Sequence, residues 1–483
     1  MFRAMTLVTA TLLLLLPLSL RAADTAPMLQ YLDQHADDYA ALAQDIWDKA
    51  ELGYLETESS ALLQRTLADA GFDIETGVAD IPTAFVASWG EGGPVIGLLA
   101  EFDALPGISQ AATPERQEVP GKHAAHACGH HLYGAGSTAA AIALKRWLQD
   151  NDLPGTIRLY GTPAEEGGSG KVYLVRAGLF DDVDTVLAWH PKDANSANPR
   201  TTLANRSAKF RFRGVSSHAA VAPERGRSAL DAVEAMNFMV NMLREHVPQE
   251  ARLHYVITSG GSAPNVVPDF AEVFYYVRHP LASELQKIWD RVMAAAEGAA
   301  RGTGTTLEHE VIHGNHSVLP NETLAQTMHK HLEAVGGVEY NAREKAFAEK
   351  ITATLGLDED LLGSQGEIQP LAPQQSMGST DVGDVSWTVP TMEMYAATWV
   401  PGTAPHTWQA VAAGGTSIGH KGMLVAAKTM VLTAADLYRQ PELLAAIQEE
   451  FEQRRGEDFT YEALLGDREP PLDYRRGSTP SAQ

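Results

Sequence analysis

The chain changes rhythm several times along its length, and each change predicts an element. Between residues 28 and 70 apolar residues recur four apart, as at Leu42 and Ile46 and again at Leu63 and Leu67. That spacing stacks side chains on one face of an α-helix. The run VIGLLAEFDAL at 95–105 has no such period. It is short and continuously aliphatic, which fits a strand buried on both faces that leads into a loop. The Ala-rich segment 132–147 predicts a helix, TIRLYGTP (156–163) a second strand, GSGKVYLVRAGLF (168–180) a helix and TVLAWHP (185–191) a third strand. Strand alternating with helix predicts an α/β layer with a mixed, largely parallel sheet and flanking helices.

Near residue 204 the texture changes. AKFRFRG places Phe210 and Phe212 between Lys209, Arg211 and Arg213, the alternation of a strand with one wet face. A helix is predicted over 228–245, strands over 253–258 and 271–279, and another helix through 300. This is a compact α+β unit, small enough to be an inserted domain. The α/β texture resumes near 318, and TMEMYAATWV (391–400) reads as a late strand. The expected organisation is therefore a catalytic domain in two parts, 24–204 and 317–440, with a smaller α+β domain inserted at 205–316. Residues 441–483 form a tail to which the pattern assigns nothing.

The N-terminus, MFRAMTLVTATLLLLLPLSLRAAD, has Arg3 ahead of an apolar stretch at 5–20 that contains Pro17 and ends in Ala22 and Ala23. It is short for a membrane span, and residues 1–23 are expected to be a signal peptide, making the protein periplasmic or secreted. An uncleaved anchor is the alternative reading of the same segment. No other stretch could span a bilayer, so no membrane contact is expected after cleavage.

Composition narrows the function. With 483 residues, 45% hydrophobic and 20% charged, the chain is an ordinary globular protein and not a disordered one. The formal net charge of −24 excludes nucleic acid, or an anionic membrane surface, held by bulk charge. A local basic pocket can still take a small anionic substrate. The only cysteine, Cys128, sits in HAAHACGHH (123–131) among four of the 17 histidines. In an oxidising compartment it has no internal disulfide partner. It is buried and inert, paired between chains, nucleophilic, or a metal ligand.

The remaining polar motifs cluster where chemistry is placed in open α/β sheets, at or just after the C-terminal ends of strands. Glu101 and Asp103 close the first strand, AEEGGSG follows the second, His190 closes the third and TAPHTW follows the last. Cys128 and His130 are separated by one residue, so both side chains can face one point. A thiolate with an imidazole suits a borderline-soft divalent cation. A lone histidine or a lone Glu-Glu pair is ordinarily structural or solvated, but Cys, His, Glu and His on loops at one sheet edge point to a metal site. Beside a metal, Glu165 and Glu166 divide the work: one ligates, the other takes a proton from water and passes it to the leaving amine. Cys128 as the nucleophile of a thiol hydrolase would lack an orienting Asn or Asp and leave the glutamate pair unexplained. A non-catalytic binding protein would have no use for Glu165.

Taken together, HACGH, PAEEGGSGK, AWHP, GVSSHAAVAPERGRSALDAV, NVVPD and APHTW, in that order, resemble the dinuclear-metal amidohydrolase and carboxypeptidase family. GSTDVGDVSW (378–387) and TWVPGTAPHTW (398–408) look most like its aminobenzoyl-glutamate hydrolase-like branch. Auxin-conjugate hydrolases and carboxypeptidase G relatives are other branches, and the resemblance runs over about residues 29–437. It implies hydrolysis of the amide bond of an N-acyl or N-aroyl amino acid with a free α-carboxylate, or dipeptidase or carboxypeptidase action of the same kind. It implies two divalent metal ions, Zn or Mn with Co also suitable, held by Cys128, His130, Glu166, His190 and His406, with Cys128 bridging. Glu165 matches the general base, and Asp103 a residue that orients a ligand histidine. His218 matches a histidine that reaches into a partner's active site, so the inserted domain is expected to form a homodimer and to act as a lid. Asn265 and Arg278 match positions that grip the substrate carboxylate. Glu101 stands where distant branches have a histidine ligand and is not counted as one. His123, His126 and His131 are left outside the metal set.

Overall fold

The structure, a computed structural model, describes residues 24–476; the expected signal peptide lies outside the described residues. The main strands are β1 (Asp73–Thr76), β2 (Phe85–Glu91), β3 (Val95–Ala100), β4 (Gly155–Gly161), β5 (Thr185–Lys192), β6 (Ala204–Arg213), β7 (Arg252–Ser259), β8 (Phe270–His279), β9 (Thr306–Asn315) and β10 (Thr391–Ala397). The larger sheet runs β1-β2-β4-β3-β5-β10. Its last four strands are mutually parallel, and β2 lies antiparallel to both β1 and β4. Leu98 sits in register with Leu159 and Leu187, and all three are buried. The aliphatic runs follow from this burial, because a parallel strand covered on both faces has no position left for a polar side chain.

The helices include α1 (Ala26–Gln34), α2 (Ala36–Lys49), α3 (Thr57–Asp69), α4 (His130–Asp150), α5 (Ala229–Leu243), α6 (Ala282–Thr303), α7 (Glu322–Val335), α8 (Ser417–Arg439) and α9 (Pro441–Arg455). The helical stretch expected over 28–70 is thus three helices. The chain turns at His35 and again after Ala50, which has a left-handed φ of 47°. A four-residue period locates a helical face and carries no information about where the helix stops. Helix α4 packs on α8 and on β3, β4 and β5 and is buried almost all round, which its alanines and glycines permit. A Cβ on Gly134 would stand 2.9 Å from the Glu101 carbonyl, and one on Gly136 would stand 2.9 Å from the Trp189 ring. The small residues let the helix start lie against the strand ends that carry Glu101 and His190.

The second sheet, β7-β8-β6-β9, is antiparallel and has its own core. Phe210 and Phe212 pack with Val273, Tyr275 and Trp289 beneath α5 and α6. On the other face Arg211 pairs with Glu272 at 2.6 Å and Glu310 at 2.8 Å. The alternation in AKFRFRG is the trace of these two faces. Strand β9 escapes sequence reading because its sequence, TLEHEVIHGN, is polar over most of its length.

Beyond α9 the chain runs back over the molecule as a strap. Phe459 lies on Trp387 with ring centroids 4.6 Å apart, and Tyr461 donates to Asp384 Oδ1 at 2.7 Å. Arg468 donates to the carbonyls of Val311 and Ile312 on β9 at 2.9 and 2.8 Å. The tail therefore ties the larger sheet's surroundings to the edge of the smaller sheet. No helix among the described residues is long and apolar enough to cross a membrane.

Candidate active site

Four neighbouring parallel strands deliver the site. Glu101 and Asp103 follow β3, Glu165 and Glu166 follow β4, His190 ends β5, and His406 lies in the loop after β10. Cys128 and His130 enter from the loop that starts α4. Gly129 between them has φ 81°, and a Cβ there would stand 2.6 Å from Pro191. Glycine is required at this point so that the chain can turn with thiol and imidazole facing one place.

The glutamate turn is held by strain and by a buried clamp. Ala164 (φ 58°) and Ser169 (φ 56°) flank it in the left-handed region, at a cost of about 1–2 kcal/mol each for a residue with a Cβ. Buried Glu56 offsets part of this cost, since its Oε1 accepts from Ala164 N at 2.9 Å and its Oε2 from Thr83 Oγ1 at 3.1 Å. Asp103 fixes two elements at once. Its Oδ1 accepts from His130 Nδ1 at 2.8 Å and its Oδ2 from Glu166 N at 2.9 Å. The first bond leaves Nε2 of His130 as the free nitrogen, as a coordinating imidazole requires. His190 is oriented in the same way: Nδ1 donates to the Pro191 carbonyl at 2.8 Å, and Nε2 faces Cys128 Sγ at 3.6 Å. His406 has φ 63°, donates its backbone N–H to Ala127 O at 2.9 Å, and brings Nε2 to 3.1 Å from Glu166 Oε1.

Three overlapping trios of donor atoms result, each with all its atoms within 4.8 Å of one another: Cys128, His130 and His190; Cys128, Glu166 and His406; and Glu101, His130 and Glu165. Cys128 belongs to the first two trios. All five expected ligands are brought together, and Glu165 and Asp103 lie beside them. Buried Glu166 Oε1 and His130 Nε2 have no well-aligned hydrogen-bond partner, and their near neighbours, His406 Nε2 at 3.1 Å and Glu101 Oε2 at 3.0 Å, are themselves members of the trios. A thiol, three imidazoles and a carboxylate fit a borderline divalent ion.

Glu101 behaves differently from the other members. Its Oε1 lies 2.6 Å from the Lys171 ammonium, which also pairs with Asp381 Oδ1 at 2.7 Å, and its Oε2 faces His130 Nε2 at 3.0 Å. A fully buried ammonium at ion-pair distance already neutralises this carboxylate. Burial pushes Glu101 up to about 7, opposed by Lys171 and His130. Burial, then Glu101 and Glu166, raise the Glu165 carboxyl well above its usual range. Burial and Glu166 push up the Cys128 thiol. His130 would be lowered by burial, but Glu101, Cys128 and Asp103 around it raise it. Crowded acids and a thiol in a buried place make a setting in which a cation is favoured.

Two cavities flank this cluster and both reach Glu165, Glu166 and His406. One, of about 260 Å³, is bordered by Pro191, Tyr395 and Trp399. The other, of about 480 Å³, is bordered by Arg278 of β8 and by Arg475 of the strap. Arg278 thus meets the site within one chain. His218 and Asn265 do not: they adjoin each other on exposed loops of the smaller unit, where Ala219 N donates to Asn265 O at 3.0 Å, and neither borders these cavities. His126 and His131 are buried and bond to the carbonyls of Ile46 and Gly414 at 3.1 and 3.0 Å. Sequence reasoning did not find Glu56, Lys171 or Arg475. Lys171 could have been noticed next to the glycine-rich turn, whereas nothing in the sequence around Arg475 relates it to Glu166.

Comparison with known proteins adds to this geometry. The family model for "Peptidase family M20/M25/M40" matches residues 97–410. One of the subunits of the p-aminobenzoyl-glutamate hydrolase of Escherichia coli (strain K12) is 44% identical over 443 residues, covering 86% of this chain and 92% of the relative. Xaa-Arg dipeptidase of Mus musculus is 30% identical over 440 residues, covering 87% and 90%. Among solved structures, an aminobenzoyl-glutamate utilization protein from Klebsiella pneumoniae superposes with TM-score 0.59 at 20% identity, over 84% of this chain and 97% of that one. A dinuclear metal binding peptidase of the M20 family from Bacillus subtilis gives TM-score 0.58 at 20% identity, over 84% and 99%. At such identities these two structures speak for the fold alone.

Proposed function

Because this chain belongs to peptidase family M20/M25/M40 and is a metal-dependent amidohydrolase, we propose that it cleaves N-acyl or N-aroyl amino acids of the aminobenzoyl-glutamate type. The observation that carries this reading is the pair of donor trios sharing Cys128, with Glu165 beside them and two adjoining cavities. Cys128, His130, Glu166, His190 and His406 would hold two divalent ions, Zn or Mn, which supply Lewis-acid activation of water and of the amide carbonyl. Asp103 keeps the His130 lone pair aimed at the site. Glu165 takes the proton from the attacking water and returns it to the departing nitrogen. Arg278 receives the α-carboxylate on its side, and the acyl group lies in the adjoining cavity against Pro191 and Tyr395.

The test is a substrate panel on purified protein with defined Zn, Mn or Co: p-aminobenzoyl-glutamate, indole-acyl amino acids and Xaa-Arg dipeptides. Fastest hydrolysis of the aroyl-glutamate, abolished by chelation and restored by one of these ions, is expected. Faster cleavage of the dipeptides would replace this reading with a dipeptidase one.

A second copy of the chain, as partner, completes the proposal. Phe238 and Met242 on α5, and Val256 and Ile257 on the edge strand β7, are exposed apolar residues on one unit. An unpaired strand edge beside apolar side chains favours association. His218, displaced from its own chain's cavities, would then serve the neighbour's site and offset oxyanion charge. Light scattering is expected to give twice the mass of one chain, and a monomer at assay concentration would remove His218 from the mechanism.

A further inference from the structure

The cavity between the larger and smaller sheets holds two guanidinium groups from distant parts of the chain. Arg278 comes from β8. Arg475 comes from the strap, outside the segment that the family model matches. Among the described residues neither forms an ion pair, and the buried Nε of each has no hydrogen-bond partner. Arg475 is placed with care. Its guanidinium carbon lies 4.7 Å from the centre of the Tyr474 ring, which packs edge-on against Tyr54 at 5.7 Å. Tyr474 donates to Glu166 O at 3.3 Å, and Arg475 Nη2 donates to the same carbonyl. Upstream, Arg176 donates to the Arg468 carbonyl at 2.6 Å and Tyr173 to that of Glu469 at 3.4 Å. The strap is therefore fastened at several points and reaches the turn that carries Glu165.

Two guanidinium groups without ion-pair partners, at a cavity whose own acids Glu165 and Glu166 belong to the donor cluster, suit a ligand with two negative groups. Each presents a planar fork of donors that matches a carboxylate. We propose that Arg475 is a specificity-determining residue that pairs with the side-chain carboxylate of an acyl-glutamate or acyl-aspartate, while Arg278 takes the α-carboxylate. This assignment rests on the substrate reading above and adds to it that the amino-acid half must be a dicarboxylate.

Steady-state kinetics with p-aminobenzoyl-glutamate and p-aminobenzoyl-glutamine, which keeps the α-carboxylate and replaces only the side-chain carboxylate by a neutral amide, test it, in the full-length protein and in Arg475→Gln and Arg475→Lys, with metal content measured in each. The glutamine variant is expected to lose on the order of 10- to 100-fold in kcat/KM on the glutamate substrate. The loss should fall mostly in KM, with little change on the glutamine substrate and no loss of metal; the lysine variant should recover part of it. Equal losses on both substrates, or none on either, would overturn the assignment and leave the substrate reading standing. A wild-type protein that prefers the glutamine substrate would overturn the assignment alone, and one that cleaves neither substrate would overturn the substrate reading itself.

Discussion

Glu165→Gln is expected to lower kcat by about 10²–10⁴-fold, the range over which a positioned general base acts, with KM and metal content close to wild type. The substitution keeps shape and hydrogen-bonding capacity and removes only the ability to accept a proton. Glu165 borders both cavities, so it lies beside any amide that spans them. Its carboxylate is a stronger base than usual, because burial and the charges of Glu101 and Glu166 all disfavour its ionised form. It belongs to neither trio that contains Cys128, and metal analysis therefore separates a chemical defect from an assembly defect. Unchanged turnover in this variant would move proton transfer to another group.

Cys128→Ala should cost metal as well as activity, because it removes the one donor atom shared by the two trios. Bound metal, measured by plasma emission on dialysed protein, is expected to fall below stoichiometry, and hydrolysis by about 10²-fold or more, since ligand and charge are lost together. Cys128→Asp keeps an anionic donor at the same place and should retain part of both. That pair of variants also decides the thiol question. Activity in the aspartate variant rules out covalent catalysis by sulfur; complete loss with full metal occupancy would restore it.

The parts of the molecule that were legible in the sequence are those in which local pattern and final environment coincide. Val95–Ala100 is aliphatic because it is buried, and Cys128, His130 and His190 stand next to strand ends that can be recognised as such. Phe210 and Phe212 alternate with charged residues because the smaller sheet has one dry face. What was missed depends on contacts between distant residues. Glu56 clamps Ala164 from another helix's start, and Arg475 reaches Glu166 across 309 positions. Lysine is seldom fully buried, so Lys171 in a glycine-rich turn reads as a surface residue until its ion pairs with Glu101 and Asp381 are seen. Glu101 shows the same limit from the other side, because its position at a strand end says nothing of the cation that neutralises it.

The order β4-β3-β5-β10 has a consequence for how this enzyme can diverge. Neighbouring strands stand about 4.7–4.9 Å apart wherever they hydrogen-bond, and four loops of the site leave such neighbours. The backbone ladder thus acts as a ruler that sets donor spacing without reference to side-chain detail. Arg278 and Arg475 stand on other supports, a separate sheet and the strap. If the two arginines select the substrate as proposed, substitutions on those supports would redirect that choice while the ruler, and the donors it spaces, is inherited unchanged.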